Sequence, residues 1–230
     1  AVGLGLYLAD PAGRVQSFVE NAAAAGEAAG LEVREVILEG RTNTPLELVS
    51  AAVGLRRGDP ILGFSPADAR ARLESIAWVE SAHVERRLPG TILVRLTERT
   101  PFAIWQHQGR FSIIDRDGRV VTSDTLDAFG PLPLVVGAGA EMHGAALYDL
   151  LLAHRPVLER TLAMVRVGER RWNLRLHNGV DVLLPEGQEA PALNRLAEMH
   201  ERHALLDRPL VAIDMRLPDR MVLRLSLIHI

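Results

Sequence analysis

The chain has 230 residues, 48% hydrophobic and 24% charged, with a formal net charge of −3 and no cysteine. This is the composition of a folded protein with room for one large or two small cores, not of a disordered segment. The negative balance argues against a nucleic-acid partner, which is held by clustered Lys and Arg, and the missing cysteine removes disulfides, thiolate nucleophiles and Cys-based zinc sites.

Residues 1–8, AVGLGLYL, form an apolar run that is too short to cross a bilayer, which takes about 20 residues. It reads as the end of a transmembrane helix. Residues 14–30 are rich in Ala and Glu and read as a helix stopping at Gly30. VREVILEG, residues 33–40, has the β-branched content of a strand. Two helix starts follow. Thr44-Pro45-Leu46-Glu47 reads as a capping box, with the Thr44 hydroxyl accepting from the Glu47 N–H and Pro45 at the first helical position. This helix is expected to run to about Gly54. Ser65-Pro66-Ala67-Asp68 repeats the pattern, opening a helix through Ile76 with Ala69, Leu73, Ile76 and Ala77 as its buried stripe. Strands over 79–88 and 91–100 join at Pro89-Gly90, and in the second Ile92, Val94 and Leu96 alternate with Leu93, Arg95 and Thr97. The order to Pro101 is strand, helix, helix, strand, strand.

The remainder reads as mostly β with two helices, over 145–153 and 190–205. In FSIIDRDGRVV a three-residue loop, Arg116-Asp117-Gly118, sets Asp115 opposite Arg119 and Ile113 opposite Val121; a two-residue loop would oppose Arg116 and Arg119. In RWNLRLHNGVDVLLP a His177-Asn178-Gly179 loop pairs Leu176 with Val180, Leu174 with Val182 and Trp172 with Leu184, and a slip of one residue would put Asp181 among them. LVAIDMRLPDRMVLRL closes the chain as two short strands around Pro218-Asp219.

Patterns that carry chemistry are absent or incomplete. Gly137 and Gly139 precede a helix, but the third glycine of a dinucleotide loop falls on Met142, and the surroundings read as antiparallel hairpins. Asp115, Asp117 and Gly118 begin like a calcium loop yet are flanked by strands. His200 and His203 stand three apart, where a metalloprotease helix needs four. Gly63-Phe64-Ser65-Pro66-Ala67 is not the nucleophile elbow, since Ala67 stands where its second glycine belongs, and Ser65 is explained as a helix cap. No catalytic, cofactor or metal-binding residue is expected.

Several segments together resemble the FtsQ family of bacterial cell-division proteins. SIAWVESAHVERRLPGTILVRLTERTPFAIWQ (75–106) is similar to the second half of that family's POTRA domain. IDRDGRVV (114–121), GERRWNLRLHNGVDVLLP (168–185) and AIDMRLPDRMVLRL (212–225) are similar to its β domain. The resemblance implies an α+β chain: the end of a transmembrane helix and a juxtamembrane helix over 1–32, a POTRA domain of β-α-α-β-β order over 33–101, a mostly antiparallel β domain with two helices over 102–225, and an off-pattern tail over 226–230. It also implies a non-enzymatic divisome scaffold in the bacterial inner membrane, single-pass, with these domains in the periplasm. Its expected partners are FtsB and FtsL, with other divisome components reached through the POTRA domain, and with no cofactor, nucleic acid or small-molecule substrate. The family's Asp-x-Arg falls on Asp214-Met215-Arg216, and the implied partner-binding residues are Arg216, Leu217, Pro218, Asp219, Arg220, Met221 and Val222. A terminal edge strand there has unpaired main-chain groups that a partner strand can satisfy, on one side of Pro218. A charge at Met221 or Val222 is then expected to weaken FtsB binding without unfolding the protein. The rival reading is a POTRA-bearing transport or chaperone component, which requires a downstream transmembrane barrel.

Overall fold

A computed structural model describes residues 31–124, 126–217 and 219–226. The expected apolar run 1–8, the helix over 14–30, Pro218 and residues 227–230 of the tail lie outside it. The chain divides into two compact units, one ending at Arg99 and the other beginning at Thr100.

The first unit holds β1 (Glu35–Glu39), α1 (Leu46–Val53), α2 (Pro66–Glu74), β2 (Val79–Arg87) and β3 (Thr91–Glu98), with a 3-10 turn at Ile61–Gly63. The sheet order is β1-β3-β2, with β1 parallel to β3 and β2 antiparallel to it. Both helices cover one face, where Val49, Val53, Ile61, Leu73, Ile92 and Val94 form the core. Ser65 caps α2 as read from the sequence, its Oγ accepting from the Asp68 N–H at 3.3 Å. The α2 helix ends at Glu74, so Ala77 lies past it and is exposed. Arg72 on α2 donates from Nε to Ala52 O at 2.7 Å, placing a cation on the open carbonyls where α1 ends at Gly54.

The capping box at Thr44 does not form. Pro45 precedes α1 instead of opening it, and no side chain caps that helix. The Thr44 hydroxyl donates to Glu98 Oε1 at 2.6 Å, and the same carboxylate accepts the N–H groups of Thr42, Asn43 and Thr44. One acceptor at the end of β3 thus organises the whole approach to α1. Burial works against the charged form of Glu98, but these hydrogen bonds outweigh it and lower its pKa from 4.5 to about 2. A folded-state pKa below the unfolded value stabilises the protein above about pH 4.5, and that stabilisation is lost as the pH falls toward 2. Glu98→Gln is expected to cost about 2 kcal/mol at pH 7 by leaving the buried Thr44 groups poorly matched. Urea melts at pH 7 and pH 3 check this: the gap between wild type and variant should narrow at the lower pH.

The second unit holds β4 (Ala103–His107), β5 (Arg110–Ile114), β6 (Val120–Thr122), β7 (Leu134–Val136), α3 (Ala140–Leu152), α4 (Arg155–Leu158), β8 (Thr161–Val167), β9 (Arg171–Leu176), β10 (Asp181–Leu183), α5 (Glu189–His203), β11 (Leu210–Asp214) and β12 (Val222–Leu225). One nine-stranded sheet runs β12-β11-β10-β9-β8-β7-β4-β5-β6. Most neighbours are antiparallel, but β4–β7, β7–β8 and β10–β11 are parallel. β4 reaches β7 through β5 and β6, whereas the crossovers of the last two pairs are helical, supplied by α3 with α4 and by α5. Their apolar faces meet the sheet over Met164, Trp172, Leu174, Val182, Leu193 and Ile213.

The β9–β10 register is the one read from charge placement: Leu174 opposes Val182, Leu176 N–H donates to Val180 O, and Leu184 N–H donates to Trp172 O. In β5–β6 the Asp115 N–H donates to Arg119 O as expected, but a bulge sets Ile113 opposite Thr122 rather than Val121. The α3 helix begins five residues before the expected start, at Ala140. Gly144, a poor helix former, sits where a Cβ would lie 2.8 Å from Val135 Cγ1, so close helix–strand packing outweighs propensity. The surroundings of Gly137 and Gly139 also correct the sequence reading, because β7-α3-α4-β8 is a βαβ unit and not a hairpin. Packing explains Gly137, where a Cβ would lie 2.6 Å from Arg166 O and whose carbonyl accepts the Trp105 indole N–H at 2.9 Å, and a φ of +72° explains Gly139.

Candidate functional site

Among the described residues β12 is one edge of the nine-stranded sheet and β6 the other. The β12 edge is built by its neighbour. β11 lies between β10 and β12, and Ile213 on its inner side and Met215 just past its end are fully buried. Met215 N–H donates to Leu183 O at 2.9 Å, tying the chain just past β11 to the sheet. Alternation turns Asp214 and Arg216 the other way, where they form a two-pronged pair: Arg216 Nε to Asp214 Oδ1 at 2.9 Å and Nη2 to Oδ2 at 2.6 Å. The Arg216 N–H also donates to Asp214 Oδ1 at 3.1 Å. Hydrogen bonds from Arg216 hold the Asp214 carboxyl below the usual aspartate range, and the pair stays charged at neutral pH.

This pair forms one wall of an open cleft of about 330 Å³, completed by Leu217, Arg220 and Val222. Leu217 is 53% exposed and Val222 46%, so both present apolar surface that a partner could cover. β12 runs antiparallel to β11, with Val222 opposite Asp214 and Leu223 opposite Ile213, and all four of its residues are exposed. Its outer main-chain groups face no further strand among the described residues. An apolar strip, a fixed ion pair and an open strand edge therefore lie together.

Four of the residues singled out in the sequence, Arg216, Leu217, Arg220 and Val222, line this cleft. Asp219 is exposed beside it and touches Arg220 at 3.4 Å. Met221 differs: its side chain is partly buried and packs on the core, so a charge there perturbs folding as well as the surface. Pro218 lies outside the described residues. Two residues were missed. Leu223 and Leu225 are exposed apolar positions on the same edge, Leu225 at 70%, and the alternation of VLRL gives no sign that its apolar side lacks cover.

Features with other potential roles resolve into structure. Asp115 Oδ1 accepts the N–H groups of Asp117 and Arg119 and holds its own turn. His200 Nδ1 accepts the Leu206 N–H at 3.3 Å. Among the described residues no group of three His, Cys, Asp or Glu is placed to hold a metal ion.

Comparison with known proteins agrees with this architecture. Residues 31–99 match the family model "POTRA domain, FtsQ-type", and residues 103–216 match "Cell division protein FtsQ/DivIB, C-terminal". The chain is 39% identical to cell division protein FtsQ of Rhizobium meliloti over 98% of its own length and 72% of the relative's. It is 39% identical to that of Bradyrhizobium diazoefficiens, over 93% of the chain and 64% of the relative. To that of Caulobacter vibrioides it is 40% identical, over 85% and 65%. The chain thus spans 64% to 72% of these relatives. With both units matched in order and identity near 40% across most of its length, the chain belongs to the FtsQ family of cell-division proteins.

Proposed function

We propose that this protein is a non-catalytic scaffold of the divisome, the periplasmic part of a single-pass inner-membrane protein, which binds FtsB and FtsL. The β12 edge and its cleft are the docking site: an extended segment of FtsB adds to β12 and seats an apolar side chain between Leu217 and Val222. The observation that carries this reading is the open edge of β12 beside the Asp214–Arg216 pair, an arrangement suited to strand addition. Arg216, Leu217, Arg220 and Val222 make the contact, with Asp219 exposed beside it. The first unit serves further divisome components. Anchorage rests on the apolar run at residues 1–8; among the described residues no helix is long and apolar enough to cross a membrane.

An isotope-edited NMR footprint of an FtsB peptide tests the site. Shifts are expected at Ala212, Asp214, Arg216 and Val222–Leu225. A footprint on the β6 edge, or none, would remove the assignment.

A further inference from the structure

Among the described residues the sheet of the first unit has two edges, β1 and β2, and they are built differently. β2 is guarded: a bulge breaks its pairing between Val79 and Ser81, and it carries Glu80, Glu85, Arg86 and Arg87. Arg86 Nη1 reaches across to Leu62 O at 3.0 Å. Such devices keep foreign strands away. β1 has no such bulge, and its charges are confined to Glu35 and Glu39 at its two ends. Its sequence is EVILE, its pairing with β3 is regular, and Val36 is 42% exposed. Glu35 N–H donates toward β3, to Gly90 O at 3.3 Å, so alternation turns the main-chain groups of Val36 and Leu38 outward. The side chains of these two residues line an apolar groove of about 190 Å³ with Leu46, Val49, Val53 and Leu55. That is somewhat larger than the roughly 150 Å³ cavities that admit benzene, so one or two branched aliphatic side chains fit.

Charge specifies the occupant. Glu35 and Glu39 lie at the two ends of β1; Glu35 accepts the Thr91 hydroxyl at 2.9 Å, and Glu39 pairs with Arg95 at 2.6 Å. The neighbouring Arg41 is turned away to Thr44 O. A second copy adding antiparallel about Ile37 would set Glu35 opposite Glu39 twice, and like charges in register oppose pairing. We infer that the β1 edge docks an extended segment of another protein in which two aliphatic residues at alternate positions are flanked by Lys or Arg. The flanking cations meet Glu35 and Glu39, and the aliphatic side chains enter the groove against α1. Because both carboxylates sit symmetrically about Ile37, the pattern reads the same in either strand direction. The inference goes beyond the β12 site and stands on separate observations.

The test uses the chain labelled with nitrogen-15 and two short synthetic peptides, one centred on Arg-Val-Thr-Val-Arg and the other on Glu-Val-Thr-Val-Glu. The basic peptide is expected to bind about tenfold more tightly and to shift the amides of Val36, Leu38, Leu46 and Ser50. Val36→Pro removes an outward donor while sparing the β3 ladder, and should abolish this binding. Should that variant fail to fold, the Glu35→Lys, Glu39→Lys double variant decides: the preference between the peptides should invert. Equal affinity for the two peptides, shifts centred on β2 or β12, or an unchanged preference in the double variant would overturn the inference.

Discussion

Gly40→Ala is expected to cost about 4 kcal/mol and to unfold the N-terminal unit, a larger effect than any surface change in it. Gly40 directly follows β1 with φ of +78°, a conformation that a side chain disfavours by about 1 kcal/mol. The greater part of the cost is steric. A Cβ on Gly40 would overlap the carbonyl oxygen of Leu96. That oxygen cannot retreat, because Leu96 lies within β3, the central strand, paired to Ala82 on β2. Gly54→Ala is the control. Its φ is +68°, but the nearest atom to a new Cβ is 3.7 Å away, so only the conformational cost of about 1 kcal/mol applies. Urea melts followed through Trp78, which belongs to this unit, measure both. Equal effects of the two substitutions would show that the Leu96 carbonyl yields.

What could be read in advance was local or enforced by charge. The β9–β10 register follows from one requirement, that Asp181 stay off the face holding Leu174 and Leu184, and the structure obeys it. Readings failed where the deciding atom is distant in sequence. The Thr44 hydroxyl had a plausible local acceptor role, but Glu98, over fifty residues later, offers its hydroxyl and neighbouring amides a single anion. The start of α3 was hidden by Gly144, whose purpose is visible only once Val135 lies against it. The parallel crossovers through α3 and α5 were not legible either, since short strands carry no mark of which neighbour they will choose.

The candidate site shows the same division. Its location came from resemblance around Asp214-Met215-Arg216, and the matched C-terminal family model itself ends at Arg216. Which side chains point outward depends on the sheet order. Met221 and Val222 are adjacent and both apolar, yet one packs on the core and the other lines the cleft. Leu223 and Leu225 are exposed because they belong to an edge strand, a property of the sheet and not of either residue.

That difference makes Val222→Lys the decisive substitution at β12. It should weaken binding of an FtsB peptide about 30-fold while changing folding stability by less than about 0.5 kcal/mol. Val222 is half-exposed, so lysine removes little buried surface, and its cross-strand neighbour is the Asp214 carboxylate, which accommodates a cation. Aspartate would be a poorer probe, because it would face Asp214 directly and confuse folding with binding. In the complex the lysine must either vacate the cleft or lose its water, and the apolar contact with the added strand is lost in both cases. About 2 kcal/mol for these combined effects corresponds to the stated 30-fold. Met221→Lys is the counterpart: it places a charge against the core and should lower stability by more than about 1 kcal/mol. Calorimetric titration paired with urea melts separates the two. Wild-type affinity in a well-folded Val222→Lys protein would mean that a partner strand does not pass over this cleft, whatever main-chain groups β12 leaves open.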